Sequence, residues 1–269
     1  MLRFALNVSL TLSDKPLLER FDVAARHGFS AVELWWPNGE NLDALVRRVR
    51  DAGVTVALLN FDAGMMARGE RGMLNHPERQ AEFRANVPLA LELAGRLGCT
   101  RLNALAGRWL PNVARERQLD LVRENLHWAA AQAATAGVTV VVEALNAWEN
   151  PGYLFTDSAT TLAFLEQVGA PNLRYQYDVY HMQRMEGNII PTLRSALDRI
   201  GHIQIADPPG RHEPGTGELN FRTIFETIVA GRYDGYIGLE YVPNGTLAAS
   251  LAWLPADRRR PLTVPELRL

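Results

Sequence analysis

The sequence predicts a single-domain (β/α)8 TIM barrel whose active site lies at the carboxyl ends of the strands. Short β-rich runs alternate with amphipathic helical patterns along all 269 residues. Several helical patterns stop at a glycine, which adopts the left-handed conformation that closes a helix, as at Gly28, Gly53 and Gly137. Eight strands with crossover helices suit a closed parallel sheet, because a barrel leaves no strand edge exposed.

The first half of the chain supplies four strand and helix pairs. Apolar or β-branched runs bounded by turn residues predict strands, and patterns with one apolar face predict helices. The expected strands are 3–8, 31–35, 54–60 and 101–105, and the expected helices are 16–27, 41–52, 77–97 and 116–136. A doubly wound open sheet is the competing fold. It needs a glycine-rich phosphate loop after its first strand, and residues 7–11 contain no glycine.

The second half repeats the alternation. The run Val138 to Val142 is the clearest strand, since a short, uniformly β-branched stretch is typical of a strand buried on both faces. The expected strands are 138–143, 173–178, 201–205 and 236–240, and the expected helices are 157–168, 189–198 and 220–230, with a short last helix near 246–254. The charged, proline-rich segment 255–269 is expected to be an irregular surface tail on the single domain 1–269.

Composition narrows the class of partner. A formal net charge of −2 gives no electrostatic reason to expect nucleic acid or an anionic membrane as a partner, since proteins that bind them usually have a basic face. No apolar run reaches the length of a membrane span. A small-molecule partner is therefore expected, with neither nucleic acid nor membrane. The single cysteine, Cys99, excludes an internal disulfide and fits a reducing compartment. With no signal-peptide pattern at the N-terminus, the prediction is a cytoplasmic protein with an inert, buried thiol.

Four residues stand at the ends of consecutive predicted strands. Glu143 ends the fifth strand, Asp178 the sixth and Glu240 the eighth, and Gln204 lies near the end of the seventh. Because the carboxyl ends of barrel strands meet at one mouth, these side chains are expected to form one site. The alternative is that each carboxylate is satisfied separately by a neighbouring arginine.

Two Glu, one Asp and one amide oxygen form a hard, oxygen-only ligand set, which suits Mg²⁺ or Mn²⁺ better than Zn²⁺. Converging carboxylates also repel one another unless a cation holds them together. Such a cation acidifies the C–H bond of an α-hydroxycarbonyl compound and stabilises the enediolate that follows. Glu143 and Glu240 are the predicted pair that removes and returns the proton, with metal ligation as their second role, and Asp178 and Gln204 are predicted as ligands only.

Five further residues are candidate substrate contacts. His181 follows Asp178 in a predicted loop, and Arg211 and Glu213 lie in the proline- and glycine-rich loop after the seventh strand. Glu149 is placed to reach a terminal hydroxyl or to stand in solvent, and Arg71 lies between two glycines in a predicted lid. An arginine fork suits a carboxylate. The alternatives are a structural histidine and solvated charges at the rim.

Three motifs resemble the hydroxypyruvate isomerase family of xylose-isomerase-like barrels, and the likeness runs from Asn7 to Tyr241. They are residues 178–187 (DVYHMQRMEG), 201–207 (GHIQIAD) and 213–220 (EPGTGELN). The resemblance implies interconversion of hydroxypyruvate and tartronate semialdehyde, with Glu143 and Glu240 as the proton-transfer pair. It also implies a metal held by Glu143, Asp178, Gln204 and Glu240, and a homo-oligomer of two or more chains.

Departures from the family pattern leave alternatives open. Glu143-Ala144 replaces the usual Glu-Pro, and Leu59-Asn60 replaces the usual His-Asn. A 2-oxo-tetronate substrate therefore remains open, whereas ketose 3-epimerases resemble this layout but carry histidine where Gln204 stands. Metal-dependent abasic-site endonucleases share the barrel but need a histidine-rich zinc cluster and a basic rim, which six histidines in a net negative chain do not supply. A non-catalytic sugar-acid binding barrel has no need of two opposed carboxylates.

Overall fold

The computed structural model describes residues 1–269 and shows a closed barrel of eight parallel strands in the order β1 to β8. The predicted fold class is confirmed. Every pair of neighbouring strands is parallel, including the closing pair β8 and β1. The strands are β1 (Phe4–Asn7), β2 (Ala31–Leu34), β3 (Thr55–Asn60), β4 (Arg101–Asn103), β5 (Thr139–Glu143), β6 (Leu173–Asp178), β7 (Ile200–Ile205) and β8 (Ile237–Leu239).

Nine helices surround or cap the barrel. They are α1 (Leu17–Arg26), α2 (Leu42–Asp51), α3 (Gln80–Leu97), α4 (Arg115–Thr135), α5 (Ser158–Val168), α6 (Val179–Met185), α7 (Ile189–Ala196), α8 (Phe221–Ala230) and α9 (Leu247–Ser250). None of them combines the length and the apolar character that a membrane crossing requires. Gly98 and Gly169 end α3 and α5 in the left-handed conformation, as the glycine pattern predicts.

One helix differs from the sequence-based expectation. Residues 179–185, expected to be a loop, form α6 directly after β6. Its first turn is capped by Asp178, whose Oδ1 accepts the backbone N–H of Tyr180 at 2.8 Å. An aspartate at a helix N-cap stabilises the first turn, so the residue that ends the strand also starts the helix. His181 is therefore fixed on a helix rather than carried by a loop.

The segment 255–269 is packed more closely than the expected surface tail. Leu262 pairs with Leu2 through two backbone hydrogen bonds of 2.7 Å, and Leu262, Val264 and Leu267 are buried. Trp253 stacks on Phe225 just before this segment. Since Leu2 precedes β1, the segment covers the end of the barrel opposite the strand C-termini. Its apolar residues, spaced two or three apart, complete the core, and the half-buried Arg258 donates to the backbone carbonyls of His27 and Leu251.

Candidate active site

A cavity of about 150 Å³ opens at the carboxyl ends of the strands. This volume lies below the roughly 300 Å³ at which drug-sized ligand sites begin, so the cavity suits a small metabolite. Three of the four predicted strand-end residues line it, as do four of the five predicted substrate contacts: Glu143, Gln204, Glu240, Glu149, His181, Arg71 and Arg211. Asp178 does not line the cavity but lies next to it, with its Oδ2 3.6 Å from His181 Nε2.

Every strand delivers a buried polar residue at or beside its carboxyl end. In strand order these are Asn7, Glu33, Asn60, Asn103, Glu143, Asp178, Gln204 and Glu240. Burial of a polar side chain is unfavourable unless the side chain is hydrogen-bonded or binds a ligand. A complete ring of buried polar side chains therefore indicates a binding site. Sequence reasoning singled out the last four and missed the first four. The sequence feature that could have identified the first four is a polar residue at the end of an apolar strand. Three of these four are asparagines, whose amides indicate a catalytic or metal site less strongly than carboxylates do.

Three carboxylates and a histidine converge within this ring. One ligand atom from each of Glu143, Asp178, His181 and Glu240 lies within 4.8 Å of the others. Burial, followed by the charges of Glu240 and Asp178, raises the pKa of Glu143 well above its ordinary value. Burial likewise raises the pKa of Asp178 to about 7, against the opposing effect of Arg211. The carboxylates thus disfavour one another's charge, as expected for a cluster that takes a cation.

Each of two carboxylates has one oxygen fixed and the other free. Glu143 Oε2 accepts the Asn103 side-chain N–H at 3.0 Å, and Asp178 Oδ1 accepts backbone N–H groups of α6. Their other oxygens, Glu143 Oε1 and Asp178 Oδ2, are buried without a partner, as are Asn103 Oδ1 and Gln176 Oε1. Four buried acceptors without a donor fit a hard cation that binds oxygen.

Glu240 is held more fully than the other two carboxylates. Its Oε1 accepts the Asn7 side-chain N–H at 2.9 Å and the Trp35 indole N–H at 3.2 Å. Its Oε2 accepts the Arg211 guanidinium at 2.7 Å. Burial raises its pKa and Arg211 opposes that rise. Trp35 thus both lines the cavity and orients the Glu240 carboxylate through its indole N–H.

Arg211 and Glu149 form an ion-pair network at the mouth of the cavity. Arg211 lies 3.8 Å from Asp178 and 3.7 Å from Glu149, besides its bond to Glu240. Glu149 also accepts from Arg184 at 2.5 Å and from the Tyr180 hydroxyl. The Arg211 side chain is 20% exposed and that of Glu149 is 36% exposed, so Glu149 stands at the solvent-facing rim while still pairing with arginine. Arg211 adopts a positive φ of 58°, a conformation rare for a non-glycine residue.

His181 has its ring fixed in one tautomer. Its Nδ1 receives the Asn146 backbone N–H at 3.2 Å and lies 2.7 Å from the Asn146 side-chain nitrogen. An acceptor Nδ1 leaves the proton on Nε2, which lies 3.6 Å from Asp178 Oδ2. Burial, followed by the nearby arginines, lowers the pKa of His181 well below its ordinary value. A neutral ring with Nε2–H directed into the site is a hydrogen-bond donor for a substrate oxygen.

Arg71 enters the cavity from the loop between β3 and α3. Its Nε donates to Asn150 Oδ1 at 2.8 Å, and its Nη1 donates to the carbonyls of Met66 and Glu70. Its Nη2 has no hydrogen-bond partner within the chain. The loop itself is closely packed, because a Cβ on Gly72 would lie 1.8 Å from the Leu105 carbonyl oxygen. The glycine beside Arg71 thus permits close approach to the segment that follows β4, and the guanidinium is held in place.

One of the five predicted contacts lies elsewhere. Glu213 does not line the cavity, and its Oε2 accepts the Asn244 backbone N–H at 3.0 Å. It therefore ties the loop after β7 to the loop after β8, a consequence of the sharp turns that Pro214 and Gly215 impose there. Trp148, in the loop after β5, is 74% exposed.

Comparison with known proteins agrees with this geometry. Residues 21–256 match the xylose isomerase-like TIM barrel family. The chain is 42% identical to the 2-oxo-tetronate isomerase of Cupriavidus necator, over 94% of this chain and 98% of that protein. It is 38% identical to the hydroxypyruvate isomerase of Escherichia coli, over 96% and 100%.

A solved structure shows the same architecture. The crystal structure described as an AP endonuclease, family 2, from Brucella melitensis superposes with a TM-score of 0.90 at 37% identity, over 94% of this chain and 98% of that one. The similarity to the two isomerases covers nearly the whole chain. The resemblance found in the sequence motifs is confirmed. The chain belongs to the xylose isomerase-like TIM barrel family, within its group of hydroxypyruvate and 2-oxo-tetronate isomerases.

Proposed function

We propose that this isomerase interconverts hydroxypyruvate and tartronate semialdehyde. One observation carries the proposal: a carboxylate cluster suited to a cation and the free Nη2 of Arg71 line the same small cavity. A short 2-oxo acid requires both features, because its oxygens bind a hard cation and its carboxylate needs a cationic partner. An uncharged ketose gives Arg71 no charged group to bind.

The proposed cation is Mg²⁺ or Mn²⁺, held by Glu143, Asp178, Gln204 and Glu240. The unpartnered buried oxygens of Glu143 and Asp178 support two of these four ligands, since each offers an acceptor that no donor of the chain meets. When bound, the cation would supply positive charge next to the substrate oxygens and so favour loss of the neighbouring C–H proton. His181 is not assigned as a ligand, because its Nε2 carries the proton.

The protein's own groups supply the remaining chemistry. Glu143 and Glu240 approach from β5 and β8; one removes the proton from C3 of hydroxypyruvate and the other returns a proton to C2. His181 donates Nε2–H to the oxygen that gains negative charge. Arg71 binds the substrate carboxylate, and Arg211 with Glu149 orients the terminal hydroxyl. The hydroxyl proton passes from O3 to O2, so no redox partner is needed.

A second substrate is 2-oxo-tetronate, longer by one hydroxymethyl carbon. The 42% identity to an isomerase named for that substrate favours it. We measure both reactions with protein stripped by EDTA and resupplied with Mg²⁺ or Mn²⁺. Metal-dependent turnover of hydroxypyruvate with the higher kcat/KM supports the first assignment, and a reversed ratio assigns 2-oxo-tetronate. No turnover of either acid contradicts the proposal.

The active site gives no support to cleavage of abasic DNA. Of the six histidines, only His181 lies in the candidate metal cluster, and its protonated Nε2 does not suit zinc ligation. The proposed partner is accordingly a small hydroxy-oxo acid. The family resemblance also supports a cytoplasmic homo-oligomer, which light scattering of the purified protein tests directly.

A further inference from the structure

Glu33 of β2 lies fully buried inside the barrel and takes no part in the proposed chemistry. It does not line the cavity. Its carboxylate accepts the Gln204 side-chain N–H at 2.9 Å through Oε2, and its Oε1 contacts His202 Nε2. No lysine or arginine pairs with it; His202 is its one ionisable partner. Burying a carboxylate destabilises the folded protein unless the carboxylate is hydrogen-bonded. A carboxylate inside the barrel that takes no part in the chemistry is therefore expected to have a structural or positioning role.

The barrel is built around this carboxylate. A Cβ on Gly238 of β8 would lie 2.2 and 2.4 Å from the two Glu33 oxygens. Such distances are far below van der Waals contact, so any side chain at position 238 would displace the carboxylate. Gly238 has no positive φ that would otherwise require glycine. The glycine therefore provides the space that Glu33 occupies, two residues before Glu240.

The contact with Glu33 decides which way the Gln204 amide points. Glu33 Oε2 is the acceptor in this contact, and the two ends of a glutamine amide differ in that one donates and the other accepts. The end of Gln204 that meets Glu33 is therefore its NH₂ group. Its oxygen must face the opposite way, where it accepts the Gln176 N–H at 2.6 Å. An amide oxygen has two lone pairs, so the oxygen of Gln204, a residue that lines the cavity, keeps one acceptor site available.

We propose that Glu33 is a positioning residue that fixes the Gln204 amide so that its oxygen, and not its NH₂ group, faces the cation. This inference rests on the metal site proposed above. Without an acceptor beneath it, the amide is free to turn over and to direct two N–H groups at the cluster. Partners that orient metal ligands in this way typically contribute 10- to 100-fold to metal affinity.

The test measures Mn²⁺ affinity by the electron paramagnetic resonance signal of free Mn²⁺, without any turnover. Glu33→Met, which removes the acceptor at similar volume, is expected to weaken binding at least about 10-fold. Glu33→Gln keeps one oxygen for Gln204 and can donate to His202, so its affinity is expected to stay within about threefold of wild type. In a Gln204→Ala background, Glu33→Met is expected to add little further loss, since the two residues act through one contact.

A second variant guards against a folding defect in Glu33→Met. Gly238→Ala keeps Glu33 but displaces its carboxylate, and it is expected to weaken Mn²⁺ binding in the same direction. Wild-type affinity in folded Glu33→Met or Gly238→Ala would overturn the inference, as would an equal loss in Glu33→Gln. If the wild-type protein binds no Mn²⁺, the proposed metal site itself is contradicted. If the wild-type protein binds Mn²⁺ tightly and the Glu33 variants bind it equally well, only the role of Glu33 is contradicted.

Discussion

The Asn146 backbone N–H donates to His181 Nδ1 at 3.2 Å, and the Asn146 side-chain nitrogen lies 2.7 Å from the same atom. Asn146 Oδ1 accepts the Glu149 backbone N–H at 2.9 Å, which turns the side-chain NH₂ toward the ring. Two donors on one nitrogen leave no place for a proton there, so His181 Nε2 carries it. Asn146, in the loop after β5, thus determines that His181 presents an N–H donor to a substrate.

His181→Phe is expected to lower kcat by roughly 100- to 1000-fold, the typical effect of losing one donor to a developing oxyanion. His181→Gln retains a side-chain N–H and should lose less. The measurement is steady-state kinetics with Mn²⁺-loaded protein, alongside a Mn²⁺ titration. An unchanged kcat in His181→Phe would show that His181 takes no part in the mechanism. A loss of Mn²⁺ affinity as large as the loss of kcat would show instead that His181 is a metal ligand.

Arg71→Met is expected to lower kcat/KM for hydroxypyruvate by at least about 30-fold, since truncating one side of a buried charge pair costs about 2 kcal/mol or more. The reason is loss of the partner for the substrate carboxylate. Dihydroxyacetone, which has no carboxylate, provides the comparison, and its slow turnover should be unchanged. Arg68→Met is the matched control, because Arg68 is exposed on the same loop and does not line the cavity. Equal losses for both substrates would contradict the assignment.

Metal-free protein is expected to lose thermal stability as pH rises from about 5 to 8. Burial raises the pKa of Glu143 and, to about 7, that of Asp178. A carboxyl whose folded-state pKa is raised stabilises the fold below its unfolded value near 4, and that stability is lost as pH rises through the folded value. A fall in Tm of roughly 5 °C is expected, since 1 kcal/mol corresponds to about 2–4 °C at this size.

Differential scanning fluorimetry at a series of pH values checks this prediction. Mn²⁺ should restore the lost stability at pH 8 and do little at pH 5, because ligation requires the deprotonated carboxylates. Asp178→Asn should reduce the slope of Tm against pH. A Tm of metal-free protein that rises steadily to pH 8 would show that the cluster does not hold its protons in the folded state.

Cys99 should be unreactive in the folded protein. The thiol is buried, its sulfur lies 3.2 Å from the Arg101 carbonyl oxygen, and burial raises its pKa to about 11. The thiolate is the reactive form, so a disulfide reagent at pH 8 should modify almost none of the native chain and one thiol per chain in guanidinium. Fast modification of native protein would contradict the buried environment.

Much of the fold follows from the sequence, because strand and helix periodicity and helix-ending glycines are local features. The strand-end positions of Glu143, Asp178 and Glu240 bring them together once the barrel closes, so their convergence was predictable. Helix α6 was not, since its start depends on the Asp178 side chain capping the next residues. The role of Glu213 was also missed, because its binding to Asn244 depends on two loops meeting.

Glu33 and Gly238 show most clearly what a sequence conceals. They lie about 200 residues apart in the sequence, Glu33 in the apolar strand β2 and Gly238 in the apolar strand β8. Only closure of the barrel places the carboxylate of one in the space that the other leaves. The amide orientations of Asn7, Gln176 and Gln204 depend on the same closure. A single sequence carries no local signal for such contacts.

Proton NMR of the reaction in D₂O tests the proposed isomerisation most directly. Metal-loaded protein is incubated with hydroxypyruvate, and the matched variants Glu143→Gln and Glu240→Gln are compared at saturating Mn²⁺. Tartronate semialdehyde should form with solvent deuterium at C2, and each variant should slow that formation at least about 100-fold, as loss of a general acid or base does. Product without deuterium would contradict proton exchange through the two carboxylates, and no product at all would contradict hydroxypyruvate as the substrate.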